Sequence, residues 1–555
     1  GMVSMIVPAM AQTPIAGHRL VVLALLAIGF LSFGLWVHHM FATGIPRLSL
    51  SFFQAASMAV AIPSGIQVFA WIATFAKGKV QMNTPTLFIL GMLFIFVLGG
   101  LTGVMVAVIP FDWQVHDTYF VVAHLHYVLI GGMVFPLFAG FYYWMPYTSR
   151  NALSERVGRW VFWLVFLGFN VAFFPMHITG IVGMPRRVYT YPAGMGWDTL
   201  NLISTAGAFM IAAGVLLFLV DVARRFRMSA EGNAGNVWNA GTLEWLPNGN
   251  YSNRSVPLVS STYPLWDDPR MAQDVEEGRY YLPGSATGGR DTLVTSAVDA
   301  KPQWVLRLPM PGWAPLVAAW FTAAFFFSLT FKLVALAALC GVVAIAALLH
   351  WGWHLDPPAR HPPVDIGGGL RLPVYVSGPM SQAWWAMVIL MLVAGSLYAC
   401  LLFSYLYLWT VSPEVWPRAA PHAGFAAATA ILLLSSSAAV GLANRGVKKN
   451  GNCRALALAI PLLIASVAVN FIGQADVSPA ESAYGAIVYA IASWDGFLAA
   501  CATLLALFAL ARRRAGLLDR ERRVTFDNAR LFWHYAVAQA LAGLAMVHGF
   551  PRLIG

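Results

Sequence analysis

Residues 116–130 read His116-Asp117-Thr118-Tyr119-Phe120-Val121-Val122-Ala123-His124-Leu125-His126-Tyr127-Val128-Leu129-Ile130, and the apolar run that they open continues to Pro146. About 20 apolar residues in helical conformation cross a hydrocarbon core, so 118–146 reads as a membrane span. Two imidazoles inside such a span cost free energy unless they serve a purpose. Helical residues advance about 100° each, which sends His124 and His126 to roughly opposite sides of one helix. A single zinc site would more naturally use an i, i+4 pair sharing one face. The i, i+2 spacing favours two separate acceptors, such as two haems, over the plainer reading of two core histidines bonded to neighbouring helices.

The surrounding chain has the same character. Of its 555 residues 59% are hydrophobic and 10% charged, which excludes a soluble globular protein and implies an all-α polytopic membrane protein. About thirteen runs reach spanning length: 19–41, 51–75, 85–109, 118–146, 157–183, 200–223, 313–330, 333–352, 381–410, 422–443, 454–473, 483–511 and 530–550. The net charge of +11 does not imply a nucleic-acid partner, because the basic residues fall in alternate loops. Lys77 and Lys79, then Arg150, Arg156 and Arg159, then Arg224, Arg225 and Arg227 follow every second span, and Arg445, Lys448, Lys449, Arg454 and the arginine-rich run 512–530 continue the alternation. That is the positive-inside pattern, with the amino terminus of the first complete span inside.

Between Met228 and about Gln303 the chain turns polar and reads as an extramembrane linker dividing six spans from seven. A second polar break, His354 to Pro379, separates two spans from five. Cys340, Cys400, Cys453 and Cys501 show no metal spacing and read as packing residues. No secretory signal peptide is evident, and the opening Gly-Met-Val suggests a fragment.

A second histidine pair, His38-His39, lies near the end of the first span. Two adjacent imidazoles reach one small ion only from neighbouring directions, and copper suits such ligation. With His38-His39-Met40-Phe41, Ala61-Ile62-Pro63-Ser64-Gly65, a Gly99-Gly100-Leu101-Thr102-Gly103 turn, His116 to Tyr127 and Gly183-Met184-Pro185-Arg186-Arg187 in this order, residues 1–246 resemble subunit I of cytochrome c oxidase, a haem-copper terminal oxidase. The stretch is similar to the last six helices of that subunit and the tail of the helix before them. The resemblance implies two haems, of the a type, and copper B. His38 and His39 correspond to two copper ligands, His124 to the proximal ligand of the high-spin haem, and His126 to an axial ligand of the low-spin haem. It further implies that Arg186 and Arg187 meet haem propionates, with Asp112 supporting that region, and that His116 and Asp117 form a magnesium position. His177 reads as a packing or hydrogen-bonding residue.

Residues 304–555 resemble subunit III, through the division into two helices and five and through the Ser396-Leu397-Tyr398 to Tyr405-Leu406-Tyr407-Leu408-Trp409 helix. Residues 247–303 then form the linker between the two subunit-like parts. The helix near Ala394 lacks the buried carboxylate often present in subunit III. Trp533 and His534 read as an interfacial anchor, and the part as stabilising and lipid-binding.

The family's second low-spin haem ligand, third copper ligand, redox tyrosine and proton-donating glutamate lie on earlier helices that this chain does not include. By itself the chain is therefore expected to be inactive. Where the family carries a proton-conducting lysine, this sequence has Ser64-Gly65-Ile66-Gln67. Ser64 and Gln67 become proton-path candidates, since an amide can hold a water chain but cannot carry a proton as an ammonium. The implied whole is a proton-pumping cytochrome c oxidase of the bacterial inner (plasma) membrane. It would reduce dioxygen to water with the missing amino-terminal part of subunit I, a subunit II bearing a dicopper site, cytochrome c and membrane lipids. A quinol oxidase of the same superfamily, a non-catalytic scaffold or assembly remnant, and a multi-span transporter are the alternatives.

Overall fold

The structure, a computed structural model, describes all residues except 229–231, 248–254, 283–290, 309–311, 356–360, 417–422, 451 and 555. It divides into two compact units, Gly1–Tyr281 and Leu282–Gly555. Among the described residues eleven helical segments are long and apolar enough to cross a membrane, so the protein is an all-α polytopic membrane protein. The two further spans expected from sequence are helical but miss the criterion. Ala314–Thr330 has 17 residues, and Val524–Leu544 carries Asp527, Asn528, Arg530, His534 and Gln539 along its length.

The first unit contains α1 (Met2–Ala11), α2 (His18–Leu35), α3 (Arg47–Ala59), α4 (Ala61–Lys77), α5 (Thr84–Ala107), α6 (Ile109–Val115), α7 (Tyr119–Leu129), α8 (Phe135–Thr148), α9 (Glu155–Ile181) and α10 (Asp198–Arg225). The run expected as 51–75 is broken at Val60 into α3 and α4. Pro63 explains the break, because it lacks an N–H for the Ala59 carbonyl and its ring crowds that oxygen. The run expected as 118–146 is continuous but passes through a π-helical turn, Ile130–Val134. Gly131 and Gly132 leave that turn free to widen, and Pro136 cannot bond back to Gly132.

Side chains cap three of these helices. Asn83 accepts from the Thr86 amide at 3.2 Å, Thr118 from Phe120 at 3.2 Å, and Ser154 from Val157 at 3.3 Å. Each satisfies an amide that the helix leaves without a partner. The core is aromatic: Phe88, Phe135 and Phe169 are fully enclosed, and Tyr127, Tyr142, Phe138 and Phe162 pack around them. The outer surface is apolar too, with Leu23, Phe30, Phe33, Phe69 and Phe209 exposed, an arrangement suited to lipid and costly in water.

The Gly99–Gly103 stretch, expected as a turn, lies inside α5. Its glycines let another helix approach. A Cβ on Gly99 would stand 2.9 Å from the Tyr127 carbonyl carbon, so α5 and α7 touch backbone to side.

The stretch expected as a linker holds folded pieces: α11 (Pro264–Asp267), α12 (Met271–Glu276), and strands β1 (Asp291–Thr295) and β2 (Pro302–Arg307), paired antiparallel with Asp291 opposite Arg307. Trp266 of α11 donates its indole N–H to the Asn239 carbonyl at 2.7 Å, within the first unit. The second unit continues through α13 (Ala314–Thr330) and α14 (Val334–Leu355), a small strand pair β3 (Val364–Asp365) and β4 (Arg371–Leu372), and then α15 (Gln382–Val411), α16 (Ala423–Asn450), α17 (Ala455–Ile472), α18 (Ala483–Arg514) and α19 (Val524–Leu544). Trp533, expected as an interfacial anchor, is instead fully buried on α19 and donates to Ser436 Oγ at 3.2 Å. His534 bonds Ser437 at 2.7 Å. A partner for the indole N–H on α16 is what makes full burial of this tryptophan affordable.

Candidate functional site: a histidine cluster in the first unit

His38 and His39 sit in the short 3₁₀ turn Trp36–Met40 that ends α2. Their ring centroids are 4.3 Å apart with planes inclined by 54°, so the two imidazoles point in neighbouring directions. Ser57 of α3 orients the first. Its hydroxyl donates to the Leu35 carbonyl at 3.4 Å and lies 3.0 Å from His38 Nδ1. A hydroxyl has one proton: given to the Leu35 carbonyl, it leaves the serine oxygen to accept from Nδ1–H and His38 Nε2 with a free lone pair, whereas given to Nδ1 it puts the ring hydrogen on Nε2.

On α7 a carbonyl decides the tautomer twice. His124 Nδ1 lies 3.1 Å from the Gly99 carbonyl and 3.2 Å from Thr102 Oγ1, and Thr102 in turn donates to a carbonyl of its own helix. His126 Nδ1 lies 2.7 Å from the Val122 carbonyl, and its ring stacks on Phe173 of α9 at 4.2 Å and 17°. Both histidines therefore carry hydrogen on Nδ1 and present Nε2 as a Lewis base, the tautomer that metal-ligating histidines hold through such outer bonds. His124 is fixed by α5, while His126 lies against α9. The expected divergence of the two rings is what the structure has, and the half-turn between them places them against different neighbours.

Gly103 completes the seat of His124: a Cβ there would meet the ring at Cε1, 2.9 Å away. His38 lies within electrostatic reach of His39 and His124, and His39 of His116 and Arg186. The candidate ligands thus gather at one end of the first unit. Among the described residues no group of three or more His, Cys, Asp or Glu could hold a metal ion by itself, so the His38–His39 pair is a partial set. The donors present fit haem and copper: His124 and His126 with Nδ1 on a carbonyl and Nε2 free, the adjacent His38–His39 pair and, at His124, a surface cleared by glycine.

Between α6 and α7, and between α9 and α10, two loops are zipped together. Tyr119 N donates to Met184 O at 2.9 Å and Arg186 N to Asp117 O at 2.8 Å. Asp117 and Arg187 both adopt positive φ, 56° and 66°. Arg186 Nε donates to Asp117 Oδ1 at 2.5 Å, a second guanidinium nitrogen of Arg186 also contacts that oxygen, and Arg187 stands 4.0 Å from it. The anion that the arginine pair requires is therefore supplied by Asp117 itself. Slight burial acts upward on the Asp117 carboxyl, but the Arg186 hydrogen bond and charge, with His116 and Arg187, hold it below its ordinary range. His116 Nδ1 lies 3.4 Å from Asp112 Oδ2. Burial raises the Asp112 carboxyl above its usual value, with His116 opposing.

Gln67 is buried, its Nε2 without a partner. Together with Ser64, Trp71 and Met92 it lines a cavity of ≈ 200 Å³, roomy enough for several waters. His177 packs between the rings of Phe120 and Tyr127 at 5.1 and 5.2 Å, in keeping with its packing role. Ser57, Thr102 and Phe173 were not singled out from sequence. A lone Ser or Thr facing a histidine-bearing helix is a weak signal, because the partner helix is not legible in the chain order.

Residues 1–210 match the family model described as Cytochrome C and Quinol oxidase polypeptide I. This region is similar to subunit I of haem-copper oxidases. Cytochrome c oxidase subunit 1 of Alkalihalophilus pseudofirmus is 42% identical over 269 residues, 48% of this chain and 43% of that protein. Quinol oxidase subunit 1 of Bacillus subtilis is 44% identical over 266 residues, 47% of this chain and 41% of that protein. Among solved structures, a chain of a heme-copper terminal oxidase dimer covers 36% of this chain and 42% of its own length, with a TM-score of 0.33 and 19% identity. The chain spans less than half the length of these relatives. The haem-copper oxidase family implies haem and copper in general; in the subunit I region His177 too has Nδ1 on a carbonyl and Nε2 without a partner, so this arrangement is not confined to the histidines of the motifs.

Proposed function

We propose that this chain is part of a proton-pumping cytochrome c oxidase, whose complete form reduces dioxygen to water. One observation carries the reading: a single helix holds two imidazoles, each with Nδ1 bonded to a carbonyl, against two different neighbouring helices. His124 would hold one haem and His126 the other, with His38 and His39 holding copper together with a ligand from elsewhere. When bound, these groups supply electron transfer and reduction of dioxygen. The chain's own contribution is orientation. Gly99 and Thr102 fix the tautomer of His124 and raise its basicity, Ser57 orients His38, and Asp117 keeps Arg186 and Arg187 at the loop, where they could also meet propionates. Magnesium at His116 and Asp117 would compete with Arg186 for the same carboxylate. Ser64 and Gln67 would support a water path for protons.

The second unit is proposed as a subunit III-like part, supported by its two helices followed by five. Subunit II with a dicopper site, cytochrome c, the remaining helices of subunit I and membrane lipids are the proposed partners, and the bacterial inner membrane the location. A quinol oxidase is the second reading, favoured by the Bacillus subtilis relative, whose name is quinol oxidase subunit 1.

Substitution of single histidines in the assembled complex tests the assignment. His126→Ala should remove the low-spin haem band alone, His124→Ala the high-spin band alone, and His38→Ala copper. Retention of both haem bands in the first two variants would leave only a scaffold. Oxidation of reduced cytochrome c, rather than of a quinol, separates the two oxidase readings.

A further inference from the structure

A second polar centre lies within the helices of the carboxy-terminal unit. Asp495, midway along α18, is 9% exposed, and its Oδ1 is enclosed without a hydrogen-bond partner. It lines two small cavities of ≈ 20 and ≈ 10 Å³, which share Asn470 of α17. Thr429 of α16 and Ser466 of α17 face the first, and Gln474, in the turn after α17, the second. Thr429 Oγ1 and Gln474 Oε1 are also buried without a partner. No Lys, Arg, His or Glu lines either cavity. Of the titratable groups on the packed helices, Tyr398 of α15 alone interacts with Asp495. His534 and Tyr535 of α19 bond Ser437 and Gln539, and His548 lies beside Arg552.

An ionised carboxylate without a counter-charge is expensive in this setting. A proton on the carboxyl would remove the charge. Tyr398 donates its hydroxyl to the Gln539 carbonyl at 2.9 Å, and a phenol has a single proton to give. With that proton given to Gln539 the Tyr398 oxygen is left to accept, and a protonated Asp495 carboxyl beside it is the donor that fits. Gly543 permits the approach, since a Cβ there would collide with the Tyr398 hydroxyl and stand 3.0 Å from Asp495 Oδ2.

We propose that Asp495 is an intramembrane proton-binding site: its carboxylic acid holds a proton donated to Tyr398, which bonds onward to the Gln539 carbonyl. Each cavity has room for about one water. In the smaller one, a water's two donors match the two open acceptors, Asp495 Oδ1 and Gln474 Oε1. The site lies outside the histidine cluster and does not depend on the proposed oxidase function.

The test is infrared spectroscopy of the full chain in lipid nanodiscs near neutral pH, with carboxyl-labelled aspartate to identify the band. The wild type should show the C=O stretch of a protonated carboxylic acid, shifted in heavy water, and Asp495→Asn should lose it. Tyr398→Phe removes the hydroxyl that accepts from the carboxyl, along with its bond to Gln539, and should move the band to higher wavenumber, which keeps the test decisive if Asp495→Asn fails to fold. Replacing sodium chloride by choline chloride should change nothing. Absence of the band in wild type overturns the proposal, as does a band that ignores Tyr398→Phe. A band that is present in choline and vanishes in sodium also overturns it, since the occupant would then be an alkali cation.

Discussion

Gly103→Ala puts the seat of His124 under direct strain. The added Cβ would stand 2.9 Å from Cε1 and 3.7 Å from both ring nitrogens, whereas carbon atoms rest at about 3.5–4.0 Å. The ring must therefore shift by about 0.6–1 Å. Its Nδ1 bonds are already 3.1 and 3.2 Å long, so such a shift carries them to or past the limit of a useful hydrogen bond. The lost bond costs about 0.5–1.5 kcal/mol, and loss of the partner that orients a metal-ligating histidine costs about 10–100-fold in affinity. Alanine also gains up to about 1 kcal/mol over glycine within a helix. Thermal stability should therefore change little while ligand affinity falls. Gly100, three residues away on α5, has nothing within 4 Å of a built Cβ, so Gly100→Ala is the matched control and should leave affinity intact. Haem titration of both variants by absorbance, alongside thermal melts, reads the two quantities. Wild-type affinity in Gly103→Ala, or an equal loss in Gly100→Ala, would refute the reasoning.

Three further outcomes follow from the same geometry. Asn83→Ala removes the cap of α5 and should cost about 1 kcal/mol, read as a lowered melting temperature, with an unchanged melt counting against the capping role. Asp117→Asn breaks the pairing with Arg186. Because the folded carboxyl titrates below its ordinary range, the pair stabilises above the unfolded value of about 4 and fades as pH falls through the folded one. The variant should therefore melt lower at neutral pH, by no more than about 1 kcal/mol for so exposed a pair, and match wild type in strong acid; an equal deficit at both pH values would contradict this. Gln67→Lys places an ammonium on the cavity shared with Ser64 and should alter time-resolved proton uptake on reduction of the complete complex, and an unchanged trace would remove Gln67 from the proton path.

Much of the first unit was legible because its signals are local. Apolar length marks a span wherever it occurs, and the 100° step per residue fixes the divergence of His124 and His126 before any neighbour is known. The Gly99–Gly103 stretch misled for the opposite reason. Glycine marks a turn when only the chain is considered, yet here it marks contact with another helix, Tyr127 on one side and His124 on the other. Trp533 misled similarly, since an indole suits a membrane boundary until a Ser436 partner makes burial cheaper.

The sequence by itself determined that the chain lives in lipid, that it is helical, and which histidines face different ways, because hydropathy and helical periodicity are properties of neighbouring residues. Only the tertiary structure decided which nitrogen of His124 and His126 is free, that Asp117 answers the arginine pair, and that Asp495 meets Tyr398 from another helix. Apart from the local Val122 carbonyl beside His126, those outcomes depend on hydrogen bonds between residues far apart in the chain, and a hydroxyl with one proton can be assigned only when all of its neighbours are in place.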